Sequence, residues 1–308
     1  MSSAASQARG LFHSAADLQL ARANREREPI RGALDRIRTL DADPLARAHL
    51  AAIRGQFCDE AEASQLAAEE LVASDFADDA GGELDDIKRA LGWLAVLAML
   101  RDEPAWQSGW RSGIQRRLAR LALPGESSDT ERELWRGALT MAAGILLGRE
   151  EELEDGAAVY RRVVAERIHP EGFIRSVADI ADAPGRYEAQ LSATCALALL
   201  AEMAALSGRD LWSYESRAVS ATTAITYTHY YYFFPEKWRW EVGLTRERTL
   251  AAMRREGAFM EMVQRRNPPP GIEQLLAEQR PLFCAWGGGL TTLTHGLTPR
   301  KKKRWRFW

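Results

Sequence analysis

One aromatic segment of this chain, YTHYYYFFPEKWRW at positions 227–240, carries the side chains best suited to recognising a ligand. At helical spacing Tyr227, Tyr230 and Tyr231 share one face, and Pro235 ends the helix that carries them. Buried tyrosine hydroxyls need hydrogen-bond partners, and consecutive tyrosines point all round a helix. The segment therefore fits three interpretations: a core segment, a membrane belt, or a wall on which sugar rings stack.

Three other features have compositions that suggest a site. The triple glycine in CAWGGGLTTL lacks the lysine and the helix start of a phosphate loop, so it predicts a tight chain reversal beside Trp286. The basic end, PRKKKRWRFW, could bind an anionic polymer or a membrane surface, or could be a solvated tail. His169, in a turn before PEGF, is typical of a loop histidine with structural hydrogen bonds, and a proton-transferring base is the alternative.

The composition is that of a globular protein, and it argues against several classes of function. The 308 residues are 46% hydrophobic and 27% charged with a net charge of -2, so no overall basic field favours nucleic acid. Cys58, Cys195 and Cys284 are odd in number and far apart. They are expected to be core side chains, and they predict neither a disulfide framework nor a metal site.

Neither a membrane span nor a secretory signal is expected. The longest apolar runs, at 91–100 and 195–206, are too short to cross a bilayer as helices. The first residues lack a basic stretch followed by a continuous apolar one. The chain as written is therefore expected to be cytoplasmic, whereas a chain from which a signal had been removed would be periplasmic or secreted. The oligomeric state stays open.

Helical periodicity recurs along almost the whole chain, and alternating strand patterns are hard to find. It predicts an all-α protein of about a dozen helices, with Ser14 and Asp17 opening the first and Gly148 closing a later one. Helices rich in alanine and leucine on all sides indicate an inner and an outer layer. We expect one domain over residues 1–298, a closed or nearly closed ring of helical hairpins, and a tail at 299–308. The predicted helices lie near 15–26, 29–40, 44–57, 60–74, 84–101, 105–121, 129–147, 150–167, 185–207, 210–230 and 241–264.

Three segments together resemble the alginate lyases, a group of polysaccharide lyases whose fold is an incomplete (α/α) toroid with a substrate cleft across its mouth. The first is LFHSAADLQLARANREREPIRGALDRI, and the second is HPEGFIRSVADIADAPGRYEAQLSATCALALLAEMAALSGRDLW at 169–212. The third is KWRWEVGLTRERTLAAM, followed by RPLFCAWGGGLTTL at 280–293. The resemblance implies a toroid that cleaves an acidic polysaccharide by β-elimination at a uronic acid, without a cofactor.

The reaction implied by this resemblance requires two kinds of group. Cationic or amide donors must compensate the charge that develops on the uronate carboxylate, and a histidine or tyrosine must move the C5 proton. Carried over by position, the family's tyrosine falls on Tyr187, which needs nearby cations to act as a base. Arg132, Arg175 and Arg186 are the candidates for bidentate contact with the carboxylate, and Arg132 is also counted among the catalytic residues.

The chain departs from the family pattern at an Asn-His pair that is expected just before Trp135. The sequence there is DTERELW, so Glu131 and Arg132 take the place of the pair. His229 is then the alternative base if the aromatic segment faces the cleft. Phe233 and Phe234 are expected inside the protein. The remaining substrate contacts are predicted at His169, Tyr227, Tyr231, Trp135, Trp238 and Trp240.

Two further functions stay open, and the missing Asn-His pair favours the first of them. The first is a catalytically degenerate lyase-fold protein that binds or guides an acidic exopolysaccharide. The second is a helical scaffold for protein partners, which predicts no cleft.

Overall fold

The computed structural model describes residues 8–38, 41–74, 83–101, 129–176 and 185–297. Within these ranges the chain is helical, and extended backbone pairs only in isolated bridges. The predicted all-α class is therefore confirmed. The helix predicted at 105–121 and the tail at 299–308 lie outside the described residues, and the boundaries of the single domain stay a prediction.

About a dozen α-helices, linked mostly by short turns, make up the described part of the chain. A π-helical turn, Val163–Arg167, and 3₁₀ turns at Pro235–Lys237 and Gly257–Phe259 complete it. The α-helices are α1 Ala15–Ala23, α2 Ile30–Ile37, α3 Pro44–Cys58, α4 Ala61–Ala73, α5 Leu84–Leu100, α6 Thr130–Leu147, α7 Glu150–Arg162, α8 Arg186–Leu206, α9 Ala221–Phe233, α10 Arg246–Glu256, α11 Met260–Arg266, α12 Ile272–Gln279 and α13 Thr291–His295.

Local sequence explains where several helices begin and end. Ser14 and Asp17 form the predicted capping box at the start of α1, with the Ser14 amide donating to the Asp17 carboxylate at 2.7 Å. The Asp129 carboxylate accepts the first free amides of α6, including that of Glu131 at 3.0 Å. Gly148 ends α6 at φ 68°, a left-handed conformation that glycine adopts without a steric cost.

The helices pack as hairpins in an inner and an outer layer, as predicted. Helix α3 pairs with α4 and helix α6 with α7, while α5, α6 and α8 contact one another in sequence along the inside. A side chain at Gly156 of α7 would meet the backbone of α6, so these two helices need glycine at their closest approach. In α5 every residue from Ala90 to Leu100 is buried, and in α8 every residue from Gln190 to Ala204 is. Such helices are covered on all sides by others.

Helix α8 is longer than the apolar run expected at its position. Among the described residues it is the one helix long and apolar enough to cross a membrane by length and composition. Most of its apolar window, 83%, is buried inside the protein. This is the composition of a core helix as much as of a membrane span.

Three stretches differ from the predicted helices. The helix expected at 241–264 begins only at Arg246 and is interrupted by the 3₁₀ turn Gly257–Phe259, so it forms α10 and α11. The helix expected at 210–230 begins only at Ala221, because Ser220 and Thr223 cap it and because Arg217 and Ala218 adopt positive φ just before it. Helices α12 and α13 were not predicted at all. Both are short, and their apolar residues are too few to define a period.

The cysteine prediction was correct for two residues and wrong for the third. Cys195 and Cys284 are buried in the core, whereas Cys58 is exposed. Cys58 is the last residue of α3, where the chain turns outward through the left-handed Asp59. All three are free thiols.

Candidate active site

A groove of about 470 Å³ opens where the amino-terminal ends of α5, α6 and α8 meet the carboxyl-terminal end of α10. Helical spacing brings Asp85, Lys88 and Arg89 to one face of α5, and Glu188, Ala189 and Ser192 to one face of α8. The groove is lined by Asp85, Lys88, Arg89, Glu131, Gly185, Glu188, Ala189, Ser192, Arg255, Glu256 and Trp286.

The floor of the groove is a buried lysine between two carboxylates. The Lys88 ammonium is 3.3 Å from Glu256 and 3.6 Å from Glu131, and it lies 5.3 Å from the centre of the Trp135 ring. Lys88 and Glu256 are each about 5% exposed. Burial disfavours the Lys88 charge, but the two carboxylates outweigh it and raise the pKa of the lysine. Lys88 is therefore a fixed positive charge at the base of the groove.

Glu131 is the titratable group of this floor that changes charge near neutral pH. Burial among Glu256 and Asp129 raises its pKa to about 7, against the opposing effects of Lys88 and of a hydrogen bond from Ser192. Burial is the largest of these effects. The Glu131 side chain keeps 16% exposure, so its carboxyl can be reached from the groove.

Hydrogen bonds fix the groups around Glu131. The Trp135 indole donates to the Ser192 hydroxyl at 2.9 Å, which leaves the hydroxyl proton of Ser192 for Glu131. Trp135 itself is fully buried. Trp135 was predicted to contact the substrate, but in this position it supports the floor from behind and offers no ring face to a sugar.

The rim of the groove at the start of α8 is an ion-pair network. Arg248 donates to both carboxylate oxygens of Glu188, at 2.8 and 2.9 Å, and also to Glu241. Glu241 accepts the backbone amides of Gly185 and Arg186, each at 3.2 Å. A carboxylate at this position is favoured by the positive end of the helix dipole.

Most of the predicted aromatic residues come together in one cluster beyond this rim. His169 stacks on Phe173 with ring centroids 4.3 Å apart, and Phe173 contacts Trp240 at 4.8 Å. The Trp240 indole donates to the Tyr227 hydroxyl at 2.9 Å. Tyr227 packs against Tyr231, and Trp238 contacts Tyr227, Tyr231 and Tyr187. We call this set of His169, Phe173, Tyr187, Tyr227, Tyr231, Trp238 and Trp240 the aromatic cluster.

The aromatic segment divides between core and surface in a different way from the prediction. Trp238 is 4% exposed and Tyr227 is 8% exposed, whereas Tyr231 and Trp240 are partly exposed and Tyr230, whose ring contacts Tyr231, is 39% exposed. Phe234 was expected inside but is 42% exposed, because it follows the end of α9 and Lys237 lies over its ring at 4.6 Å. Phe233 is partly buried against the core, as expected.

The three residues predicted to transfer the proton do not meet in the groove. Tyr187 is fully buried, and its hydroxyl has no partner within the described chain. Burial raises its pKa far above the range of a base at neutral pH. His229 lies between Phe233 and Gly271, where burial lowers its pKa, and Arg132 does not line the groove. Their catalytic roles stay predictions without support from this geometry.

The other two predicted arginines do not converge on a common point either. Arg175 is exposed after Ile174, whereas Arg186 is only 5% exposed. The Arg186 guanidinium is buried, and its Nε and Nη2 have no partner among the described residues. Neither residue lines the groove.

Sequence reasoning missed Lys88 and Glu256, and it noted Glu131 only as a replacement. A signal existed for Lys88, since it lies two residues before ALGWLAVLAML, a run that is apolar on every face of the helix. Nothing in the sequence around Glu256 separates it from the exposed charges of RREG. Its contact with Lys88, 168 residues away, exists only in the fold.

Comparison with known proteins identifies the family. The sequence profile of the family described as alginate lyase matches residues 72–238, more than half of the chain. The protein therefore belongs to the alginate lyase family. Among curated proteins, no sequence matches the chain significantly.

Solved structures of alginate lyase A1-III are similar to this chain. A histidine-to-alanine variant complexed with a tetrasaccharide is 16% identical with a TM-score of 0.68, over 89% of this chain and 82% of that one. The enzyme from Sphingomonas species A1 is 16% identical with a TM-score of 0.66, over 88% and 78%. A tyrosine-to-phenylalanine variant with a tetrasaccharide is 16% identical with a TM-score of 0.65, over 84% and 76%. At this identity the likeness concerns the fold, and it confirms the incomplete (α/α) toroid.

Proposed function

We propose that the protein is a polysaccharide lyase that cleaves a uronic-acid-containing polysaccharide by β-elimination, with Glu131 as its proton-transfer group. The observation that carries the proposal is a carboxyl with a pKa of about 7 in a groove of this family's fold. It stands where the family pattern has its Asn-His pair. A group that is half ionised near neutral pH can both accept and return a proton.

The groups of the groove can be assigned to the steps of an elimination. The Glu131 carboxylate takes the proton from C5, the electron pair forms the C4–C5 double bond, and the bond from C4 to the glycosidic oxygen breaks. The leaving oxygen then takes a proton, which the protonated Glu131 can return. The Lys88 ammonium stabilises negative charge on the substrate's carboxyl oxygens as the C5 proton leaves.

The substrate is proposed to run from the groove towards the aromatic cluster. Gly185 and Glu188 of the groove adjoin Tyr187 of the cluster along the chain, and Tyr231 and Trp240 keep part of their surface exposed. Partly exposed aromatic rings suit the apolar faces of sugars. Neither a cofactor nor a metal is expected to take part, and this stays a prediction.

The proposal is tested with a spectrophotometric assay. The protein is mixed with alginate, glucuronan, hyaluronan and bacterial exopolysaccharides, and the ultraviolet absorbance of an unsaturated uronate is followed. Wild-type protein should produce the signal on at least one polymer, and Glu131→Gln should lower kcat by about 10²–10⁴-fold. Glu151→Gln is the matched control, since Glu151 is exposed on α7 and does not line the groove. Equal activity of wild type and Glu131→Gln would remove Glu131 from the mechanism.

The second candidate function is a lyase-fold protein that binds an acidic exopolysaccharide without cleaving it. The position of Tyr187 in the core and of His229 outside the groove favours it, because both residues were expected to act on the substrate. Binding measured by calorimetry without product formation, and unchanged in Tyr187→Phe, would select this function. A scaffold for protein partners predicted no cleft, so the groove argues against it.

A further inference from the structure

The charges of the groove bear on whether the substrate's carboxyl group is ionised or neutral when it binds. This inference rests on the proposed lyase function. In the described chain four carboxyl groups and three cations line the groove, so the negative charges are no fewer than the positive ones even with Glu131 half ionised. The acidic residues are Asp85, Glu131, Glu188 and Glu256, and the basic residues are Lys88, Arg89 and Arg255. A cleft for free uronate carboxylates is expected to have the opposite balance.

Each lining cation also has a carboxylate of the protein beside it. Lys88 lies between Glu131 and Glu256, as described above. The Arg89 guanidinium is 3.1 Å from Asp43, and the Arg255 guanidinium is 3.6 Å from Glu256. At the rim, the cation nearest to Glu188 is Arg248, which Glu188 engages with both oxygens. A substrate carboxylate would have to compete with these carboxylates for every one of the cations.

A buried negative charge also lies directly behind the lining. Glu256 is 4% exposed, and its Oε2 has no partner in the described residues. This oxygen is shielded from solvent and does not contact the substrate, but the uncompensated part of the Glu256 charge repels a carboxylate in the groove and leaves a neutral group unaffected.

We infer that the reacting uronate residue enters this groove with its carboxyl group uncharged, as an ester, and that the enzyme prefers an esterified polyuronate to the free acid. The chemistry is consistent with this preference. When the C5 proton moves to Glu131, the electron pair is shared with the ester carbonyl, the C4–C5 double bond forms and the C4–oxygen bond breaks. The leaving oxygen takes the proton back, and no oxidant, reductant or further reactant is needed.

The test compares the free acid and the methyl ester of the same polymer. Alginate, glucuronan and polygalacturonate are each assayed as the free acid and as the methyl ester, with kcat/KM measured from the ultraviolet signal at low salt. The inference predicts that kcat/KM is at least tenfold higher on the ester. Equal or faster cleavage of the free acid would overturn the inference while the lyase function stands. No cleavage of any form would overturn the lyase function itself.

Two further measurements separate the groove's charge from the greater acidity of esters in general. Added salt should raise the rate of wild type on the free acid, because screening weakens repulsion, and should leave the rate on the ester nearly unchanged. Glu188→Gln removes one negative charge of the lining and leaves Arg248 with Glu241 as its remaining carboxylate partner, so the ester preference should fall threefold or more, while Glu151→Gln should keep it. A free-acid rate that falls with salt, or an unchanged preference in Glu188→Gln, would contradict the inference.

Discussion

Replacing Lys88 by methionine tests the electrostatics of the groove floor directly. Methionine keeps much of the side-chain volume and removes the charge that lies between Glu131 and Glu256. Lys88 opposes the effect of burial on Glu131, so its removal should raise the Glu131 pKa above its value of about 7. The two carboxylates would also lose their common partner, which makes protonation of one of them more favourable.

The distance sets the size of this shift. A unit charge pair about 4 Å apart is worth about 1 kcal/mol in water and about 4 kcal/mol near a protein surface. Since Glu131 retains some exposure, the lower half of this range applies, and each 1.36 kcal/mol corresponds to about one pKa unit. The Glu131 pKa in Lys88→Met should therefore rise by about one to two units. The variant should also lose about 3–5 kcal/mol of stability, because Glu256 is left buried without its cation.

Isotope-edited NMR of glutamate side-chain carboxyls measures this pKa without a substrate. The Glu131 resonance is assigned as the one absent from Glu131→Gln, and Lys88→Arg serves as the control that keeps the charge. Wild type and Lys88→Arg should titrate near pH 7, and Lys88→Met near pH 8 or above. A Glu131 pKa near 4.5 in wild type would show that burial does not raise it. A Glu131 pKa that is the same in wild type and Lys88→Met would show that the Lys88 charge does not lower it.

Three further predictions concern stability. Because the pKa of Glu131 is raised in the folded state, its stabilising contribution is complete below pH 4.5 and is lost as pH rises through about 7. Between these pH values wild type should therefore lose up to about 3 kcal/mol relative to Glu131→Gln, as measured by urea unfolding. Burial lowers the His13 pKa to about 4, so His13 itself should cost the folded state about 2 kcal/mol at pH 5 relative to pH above 6.5, and His13→Asn should gain that much over wild type as pH drops through this range; parallel pH profiles of the two proteins would contradict it. Tyr187→Phe removes a buried hydroxyl that has no partner among the described residues, so it should leave stability unchanged or raise it by about 1 kcal/mol in thermal unfolding, whereas a clear loss would reveal a hydrogen bond to the Tyr187 hydroxyl.

The sequence was sufficient for the helical class and for the elements that position the groove. Periodicity located α5, α6 and α8 to within a residue or two, because each buries long apolar faces. The helix start predicted at Ser14 and the helix end predicted at Gly148 were also correct, because helix capping and left-handed turns depend on the local sequence. The boundary of α9 was misplaced because a capping box at Ser220 ends a stretch of irregular chain that carries no strong signal.

The site was harder to predict because its key contacts join distant parts of the chain. Lys88, Glu131 and Glu256 come from three different helices, and only their packing desolvates them. Tyr187 was placed correctly at the start of a helix, but helical rotation turns Glu188 and Ser192 towards the groove and Tyr187 into the core. A difference of one residue along a helix therefore separates a predicted base from the groove's actual lining.

Mass spectrometry of the products distinguishes β-elimination by Glu131 from hydrolysis and from binding without cleavage. Wild-type protein is incubated with the free-acid and esterified polyuronates, and the new non-reducing ends are analysed. β-elimination predicts fragments with an unsaturated uronate at that end, each lighter by one water than the corresponding hydrolysis product, formed by wild type and Glu151→Gln and almost absent in Glu131→Gln. Intact polymers, fully hydrated fragments, or unsaturated products formed equally well by Glu131→Gln would contradict β-elimination with Glu131 as the proton-transfer group.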